Sequence, residues 1–441
     1  MVRRLKKLLD HPPNFLILTL YNAFALLLAL AAGFGYLNHR FLRLPATIGL
    51  MVLSLLLSLV LVGLGKAGVG GVLGIGRLVG QIDFDQVLMQ LMLSFLLFAG
   101  ALHTDARGVG RLRWSVGVLA FVGTLLSTAF VAAAMYLILP LLELPTAFIY
   151  CLLFGALISP TDPVAVLGIL TKANIPKPLE IKIVGESLFN DGVGVVIFVS
   201  VLRLAEAGAD SLDAGQVLLL FLREAGGGLL LGAELGWLCS RLLGSIDDYQ
   251  VETLLTLALV VGGTALAGLL HTSGPLSMVV AGLLIGHYAR NGTMSDTSLD
   301  YVHKFWELTD GVLNALLFAL IGLQLLVLRL SWAALWAGLV AVAVVLLARL
   351  VSVAVPLGLL RLRPADHTPH SLPVLVWGGL RGGISVALAL SLPTAGPRDL
   401  LVGITYVVVV FSIIGQGLTI APLVRRLGIA RVAAADGTGV T

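Results

Sequence analysis

One predicted helix carries two carboxylates, an amide and a hydroxyl within two turns, a set of groups that can bind a cation or a proton. The stretch reads Gly-Glu-Ser-Leu-Phe-Asn-Asp-Gly over residues 185–192. At 100° per residue, Ser187 and Asp191 share one helix face, and Glu186 lies on the neighbouring stripe with Asn190. Oxygen donors of this kind suit a hard cation. Hydrogen bonding between helices would explain the serine and the asparagine but not two carboxylates, so we predict a functional role for Asp191.

A further acidic residue, Asp162, lies between two prolines in Ile-Ser-Pro-Thr-Asp-Pro, residues 158–163. Pro160 and Pro163 remove backbone donors and break a helix. Irregular backbone at membrane depth persists only where protein or a water-filled cavity surrounds it. The pattern therefore predicts an unwound stretch that presents Thr161 and Asp162. A simple proline kink, in which Asp162 caps the next half-helix, is the alternative.

Two arginines interrupt later apolar segments. Arg349 lies near the middle of one, and because arginine stays charged we predict a carboxylate partner, for which Glu186 is the candidate. Snorkelling to the interface is the alternative. Arg381 lies in Gly-Gly-Leu-Arg-Gly-Gly, residues 378–383, where the glycines predict a second broken helix. If the two breaks meet, half-helix ends of opposite polarity suit Asp162 and Arg381.

The amino-acid composition predicts that these residues lie within a membrane. The chain has 441 residues, of which 58% are hydrophobic and only 12% are charged, whereas a soluble domain has about 25% charged residues. This excludes an ordinary soluble enzyme and a disordered chain. Long apolar blocks also argue against a β-barrel. We predict an all-α polytopic membrane protein with inverted repeats and two broken helices crossing at mid-membrane. The net charge of +4 reflects basic loops and indicates no nucleic-acid partner.

About thirteen transmembrane segments are predicted, within a single membrane domain that spans residues 1–441 and has its helices between 14 and 424. The segments are 14–37, 46–64, 86–103, 112–139, 145–171, 179–205, 214–243, 251–270, 274–288, 306–328, 332–361, 371–392 and 399–424. Core helices are expected near 86–205 and 306–424, and residues 425–441 form a short cytoplasmic tail. The first segment is expected to be retained and not cleaved as a signal peptide.

The lysines and arginines of the loops predict the orientation. With the N-terminus outside and the C-terminus in the cytoplasm, most loop Lys and Arg residues lie on the cytoplasmic side. The opening Met-Val-Arg-Arg-Leu-Lys-Lys stretch contradicts this rule, and the other loops support it. We expect a multi-pass protein of the cell membrane.

Residues 158–164, 185–192 and 378–384 together resemble the signature segments of the NhaP/NHE-type monovalent cation:proton antiporters, the sodium/hydrogen exchanger family. The likeness extends over essentially the whole chain, including the number and order of segments. It implies a homodimer of thirteen-helix subunits, each with a dimerisation domain and a six-helix core domain. It also implies electroneutral one-for-one exchange by alternating access.

The resemblance implies a role for each motif residue. Asp191 would bind the cation and the proton in alternation, with contributions from Thr161, Asp162 and Ser187. Glu186 would form an ion bridge with Arg349. Many relatives carry an acidic residue in a Phe-Glu-Gly-Ala-type stretch of the third segment, where this chain has Ala99. That departure removes a side-chain ligand and puts a carboxylate contribution from this helix in doubt.

The sequence thus predicts a transporter and not an enzyme, with no cofactor, that exchanges Na⁺, or else Li⁺ or K⁺, for H⁺ across the lipid bilayer. The cation and proton site is assigned to Asp191, Asp162, Ser187, Thr161 and Asn190, with Arg381 at the second break. A cation channel and a K⁺-selective antiporter are the alternatives. An intramembrane hydrolase using Ser187 lacks a histidine base on a neighbouring segment.

Overall fold

The computed structural model describes residues 20–67, 92–162, 168, 170, 175–207, 214–328, 331–360, 371–393 and 396–429. Within these ranges every regular element is helical, which confirms the predicted all-α fold. The longer helices are α1 (Leu20–Leu37), α2 (Ala46–Lys66), α3 (Leu93–His103), α4 (Ala106–Arg111), α5 (Arg113–Leu142), α6 (Phe148–Ile158), α7 (Lys177–Ala207), α8 (Ala214–Leu243), α9 (Tyr249–Leu269), α10 (Gly274–Tyr288), α11 (Asp296–Leu323), α12 (Trp332–Leu360), α13 (Ser371–Trp377), α14 (Gly383–Leu390) and α15 (Arg398–Arg426).

The described helices are those of a membrane protein. Eight helical stretches among the described residues are long and apolar enough to cross a bilayer, and α3 and α6 are shorter apolar helices. Many large apolar side chains, such as those of Leu254 and Trp336, are exposed on the outside of the helices. Exposed apolar surface on this scale suits contact with lipid. The protein is therefore a multi-pass membrane protein, as predicted.

Each of the thirteen predicted segments contains a described helix, but one boundary was wrong by ten residues. The segment predicted to start at residue 306 belongs to α11, which begins at Asp296. The first turns of α11 are polar, and the exposed pair Asp300 and Lys304 is joined at 2.6 Å. Such an i, i+4 pair supports a helix without contributing hydropathy. The predictions for residues 1–19 and for the tail beyond residue 429 lie outside the described residues.

The chain divides into two compact units. The smaller comprises Met1–Asp83 with Ala315–Leu328, and the larger comprises Phe84–Asn314 with Arg329–Thr441. In the smaller unit, the Ser58 hydroxyl donates to the Gly322 carbonyl at 2.9 Å. The larger unit contains both broken helices and all the predicted site residues.

Candidate functional site

The first broken helix is interrupted where the two prolines predicted it. Helix α6 ends at Ile158, and residues 159–162 continue as irregular backbone. The Ser159 hydroxyl donates to the Gly155 carbonyl at 2.7 Å, which satisfies one of the free acceptors at the helix end. Pro160 packs against Gly194 of α7, where any Cβ atom would collide with the proline ring. The irregular stretch therefore lies directly on α7.

The second broken helix lies against the first. Helix α13 ends at Trp377 and α14 begins at Gly383, which confirms the break predicted from the glycines. The Asp162 backbone N–H donates to the Leu380 carbonyl at 2.8 Å. The two irregular stretches are thus joined by a backbone hydrogen bond, and the predicted meeting of the broken helices is confirmed.

Arg381 lies at the C-terminal end of α6. Its Nη1 donates to the carbonyls of Ser159 and Pro160, the second at 2.9 Å. Its backbone N–H donates to the Ser412 hydroxyl at 2.8 Å. A buried guanidinium at a helix C-terminus balances the partial negative charge of the free carbonyls. This is the position that the polarity argument assigned to Arg381.

Three of the predicted site residues form one hydrogen-bonded network. Asn190 Oδ1 accepts from the Thr161 backbone N–H at 3.2 Å, and Asn190 Nδ2 donates to Thr161 Oγ1 at 2.8 Å. Thr161 Oγ1 and Ser187 Oγ are 3.0 Å apart. All three side chains are buried. The network fixes the irregular stretch to the face of α7 that carries Asp191.

The two aspartates of the motifs lie near each other. Asp191 is only 5% exposed, and its carboxylate is within electrostatic range of Asp162 and Arg381. The Asp162 side chain lies beside Gly382, the N-cap of α14, where a Cβ atom would collide with the carboxylate. A carboxylate is favourable at a helix N-terminus. Two carboxylates and two hydroxyls thus lie at the crossing of the broken helices, together with the carbonyls that accept from Arg381 and from the Asp162 backbone.

Glu186 and Arg349 lie together as a buried bidentate pair. Arg349 Nη2 donates to Glu186 Oε2 at 3.0 Å, and Nη1 donates to Oε1. Arg349 Nε also donates to the Leu375 carbonyl at 3.1 Å. This parallel geometry is the strong form of a charge-assisted hydrogen bond. The structure therefore brings together the pair that the sequence predicted, and it joins α7 and α12 to the residues just before the second break.

Ala99 of α3 is completely buried and packs in the cluster that contains Phe98 and Trp306. It brings no side-chain oxygen to the site, as its identity predicts. The late start assigned to α11 put Asp310 near a segment end, whereas it lies at the middle of the observed helix.

The family model described as "Sodium/hydrogen exchanger, transmembrane" matches residues 26–426, which include both broken helices and α7. The chain belongs to the sodium/hydrogen exchanger family. The resemblance inferred from the three motifs is thereby confirmed.

Curated members of the exchanger family match over most of their length. The chain is 49% identical over 407 residues to the Na⁺/H⁺ antiporter NhaP of Pseudomonas aeruginosa, covering 91% of this chain and 96% of that protein. It is 36% identical over 352 residues to the Na⁺/H⁺ antiporter NhaH of Halobacillus dabanensis, covering 78% and 84%. Among solved structures, the sodium proton antiporter MjNhaP1 of Methanocaldococcus jannaschii at pH 8 matches with a TM-score of 0.71 and 21% identity, over 91% of this chain and 97% of that one. This match supports the exchanger fold.

Proposed function

We propose that this protein is a secondary active transporter that exchanges a monovalent cation, Na⁺ first and Li⁺ or K⁺ as further candidates, for H⁺. The observation that carries the proposal is the pair of carboxylates, Asp162 and Asp191, at the crossing of two broken helices. Intramembrane carboxylates are costly and mark ion and proton pathways. The names of the two relatives described above, both Na⁺/H⁺ antiporters, support the same conclusion.

Competition for Asp191 would couple the two ions. The carboxylate of Asp191 holds either a proton or, with oxygens from Asp162, Thr161 and Ser187, a dehydrated cation. Because both ligands need the same oxygens, one must leave before the other binds. Oxygen ligands of this kind suit hard cations such as Na⁺.

Asn190 acts as a positioning residue in this proposal. Both polar atoms of its side chain are engaged by Thr161, so its contribution to the cation site is indirect. It is also neutral, so Asp191 is the one carboxylate on this face of α7 that exchanges its ligand. One proton is then exchanged for one monovalent cation, and the exchange is electroneutral.

Alternating access follows if the core moves only when Asp191 is neutralised. A bare carboxylate is expensive to carry through a low-dielectric barrier, whereas a protonated or cation-bound one is not. Arg381 balances the partial negative charge of the carbonyls at the end of α6. No cofactor is required, and the reaction makes or breaks no covalent bond in a substrate, so the protein is a transporter and not an enzyme.

We expect a homodimer in the cell membrane, with a dimerisation domain and a core domain in each subunit. The N-terminus lies outside and the C-terminus in the cytoplasm, because this arrangement puts most loop lysines and arginines on the cytoplasmic side.

A vesicle assay tests the proposal. Purified protein in vesicles that hold a pH gradient is exposed to Na⁺, Li⁺ or K⁺, and lumenal pH is followed with a dye. We expect Na⁺ to move protons at a rate that persists when the membrane potential is collapsed. Current that depends on the potential would instead identify a cation channel, and a response to K⁺ alone would identify a K⁺-selective antiporter.

Gly382 lies so close to Asp162 that a Cβ atom at this position would collide with the carboxylate. Gly382→Ala is expected to lower cation-driven proton movement by roughly tenfold or more, because the added methyl group displaces the Asp162 carboxylate from its place. Gly358→Ala on α12 is the matched control, since nothing lies within 4 Å of a Cβ atom there. Wild-type rates for Gly382→Ala would contradict the assignment of Asp162 to the cation site.

A further inference from the structure

One peptide group of the second break is hydrogen-bonded on both of its sides. The carbonyl of Leu380 accepts from the Asp162 backbone N–H at 2.8 Å. The N–H of the same peptide group, on Arg381, donates to the Ser412 hydroxyl at 2.8 Å. In a trans peptide the C=O and the N–H point in opposite directions. This peptide group therefore bridges the first break on one side and α15 on the other.

The hydrogen bonds continue from Ser412 to the beginning of the second break. The Ser412 hydroxyl donates to Gln416 Oε1 at 2.7 Å, and Gln416 Nε2 donates to the Trp377 carbonyl at 3.1 Å. Trp377 is the last residue of α13, so its carbonyl is an acceptor without a partner inside the helix. Ser412 and Gln416 are both buried. The two side chains thus hold the backbone before and after residues 378–380.

Ser412 and Gln416 lie on an irregular turn of α15. Residues Phe411–Gln416 form a π-helical turn, and the helix is α-helical before and after it. Single π-helical turns are frequent at functional sites. Here the turn carries a hydroxyl and an amide that contact each other and the second break.

The second break depends on partners outside itself for its shape. Residues 378–383 include four glycines, and glycine leaves the backbone free to adopt many conformations. Within the stretch the Leu380 N–H donates to the Gly378 carbonyl at 2.9 Å, but the Arg381 N–H has its acceptor on α15. A buried N–H that loses its acceptor must find another. Without Ser412, the Leu380–Arg381 peptide would turn, and its carbonyl would leave the backbone N–H of Asp162.

We propose that Ser412 and Gln416 are positioning residues for ion exchange, which fix the Leu380–Arg381 peptide and through it the backbone at Asp162. The inference rests on the proposed exchange function, in which Asp162 contributes oxygens to the cation site. Neither Ser412 nor Gln416 is a ligand of the cation. Their loss displaces Asp162 and weakens cation binding, so the effect falls on the Na⁺ concentration needed for half-maximal rate.

A neighbouring hydrogen bond provides the matched control. Trp377 Nε1 donates to the Thr419 hydroxyl at 2.9 Å, so Thr419 also joins α13 to α15. Thr419 is exposed, and it contacts the side chain of Trp377 and not the backbone of the break. Thr419→Val removes this hydrogen bond with little change of shape, and the hydrogen bonds from Asp162 to the Trp377 carbonyl remain.

The test compares Ser412→Ala and Gln416→Leu with wild type in the vesicle assay across a range of Na⁺ concentrations. We expect the half-maximal Na⁺ concentration to rise roughly tenfold in each variant, because even a small misplacement of a binding group is costly. Ser412→Thr keeps a hydroxyl at this position and should stay close to the wild-type value. Thr419→Val should have the wild-type value.

The outcomes separate this inference from the function on which it rests. A wild-type protein without Na⁺-driven proton movement overturns the proposed function. An active wild type with an unchanged half-maximal concentration in either Ser412→Ala or Gln416→Leu overturns only the inference, even if the maximal rate falls, since a merely structural role would lower that rate alone. An equal rise in Thr419→Val or in Ser412→Thr also overturns it. If Ser412→Ala does not fold, the half-maximal concentration in Gln416→Leu decides.

Discussion

Replacing Asp191 with asparagine is expected to reduce cation-driven proton movement to the level of protein-free vesicles. Asparagine has nearly the same shape as aspartate and fits the same buried position on α7. It takes up and releases no proton and carries no negative charge, so it cannot alternate between a proton and a cation as the proposed cycle requires. Because exchange requires both half-reactions, the loss should be complete for Na⁺, Li⁺ and K⁺ alike.

The measurement is the dye-based vesicle assay with equal amounts of folded protein. Asp300→Asn makes the same chemical change at an exposed position and should retain the wild-type rate. Purified Asp191→Asn should elute from a sizing column as wild type does, because the substitution removes no ion pair. Appreciable Na⁺-driven proton movement in this variant would refute the role of Asp191 as the site of exchange.

Replacing Glu186 with glutamine is expected to lower the stability of the folded protein. Glu186→Gln leaves the Arg349 guanidinium buried without its counter-charge, which typically costs about 3–5 kcal/mol. The hydrogen bonds from Arg349 to the Leu375 carbonyl remain, but they do not neutralise the charge. We therefore expect a clear fall in the midpoint of thermal unfolding in detergent, together with a lower yield of folded protein.

Glu224→Gln is the matched control for Glu186→Gln. Glu224 pairs with Arg203 at 3.0 Å, but Arg203 is 44% exposed and can be solvated when the pair is broken. That loss should be at most about 1 kcal/mol, as for other exposed pairs. Joint replacement by Glu186→Leu and Arg349→Met should recover part of the stability lost in Glu186→Gln, because no charge is then stranded. Equal unfolding midpoints for wild type and Glu186→Gln would show that the pair is not a structural element.

Sequence patterns predicted the strongest local features of this fold. Prolines and glycines mark both breaks because they remove donors or relax the backbone wherever they occur. The pairing of Glu186 with Arg349 was predictable because each charge is intolerable alone at membrane depth and few partners exist. These inferences need only composition and spacing within single segments.

Other features depend on contacts between distant segments. Asn190 bonds to Thr161 through both polar atoms of its side chain because the first break packs closely against α7. No pattern within either segment encodes this approach. The start of α11 was misplaced because a hydropathy window cannot distinguish a polar helical turn from a loop. The same error placed Asp310 near a segment end, although it lies at the middle of α11.

The reciprocal hydrogen bonds between the two breaks have an evolutionary consequence. The first break donates to the second from Asp162, and the second donates to the first from Arg381. The length of each stretch is therefore constrained by the positions of the donors and acceptors in the other. An insertion or deletion within residues 159–162 or 378–382 would shift one set of donors past its acceptors. The two stretches should consequently tolerate a change of length in one only when the length of the other changes as well. Their lengths are therefore expected to vary together among related sequences, although the stretches lie more than two hundred residues apart in the chain.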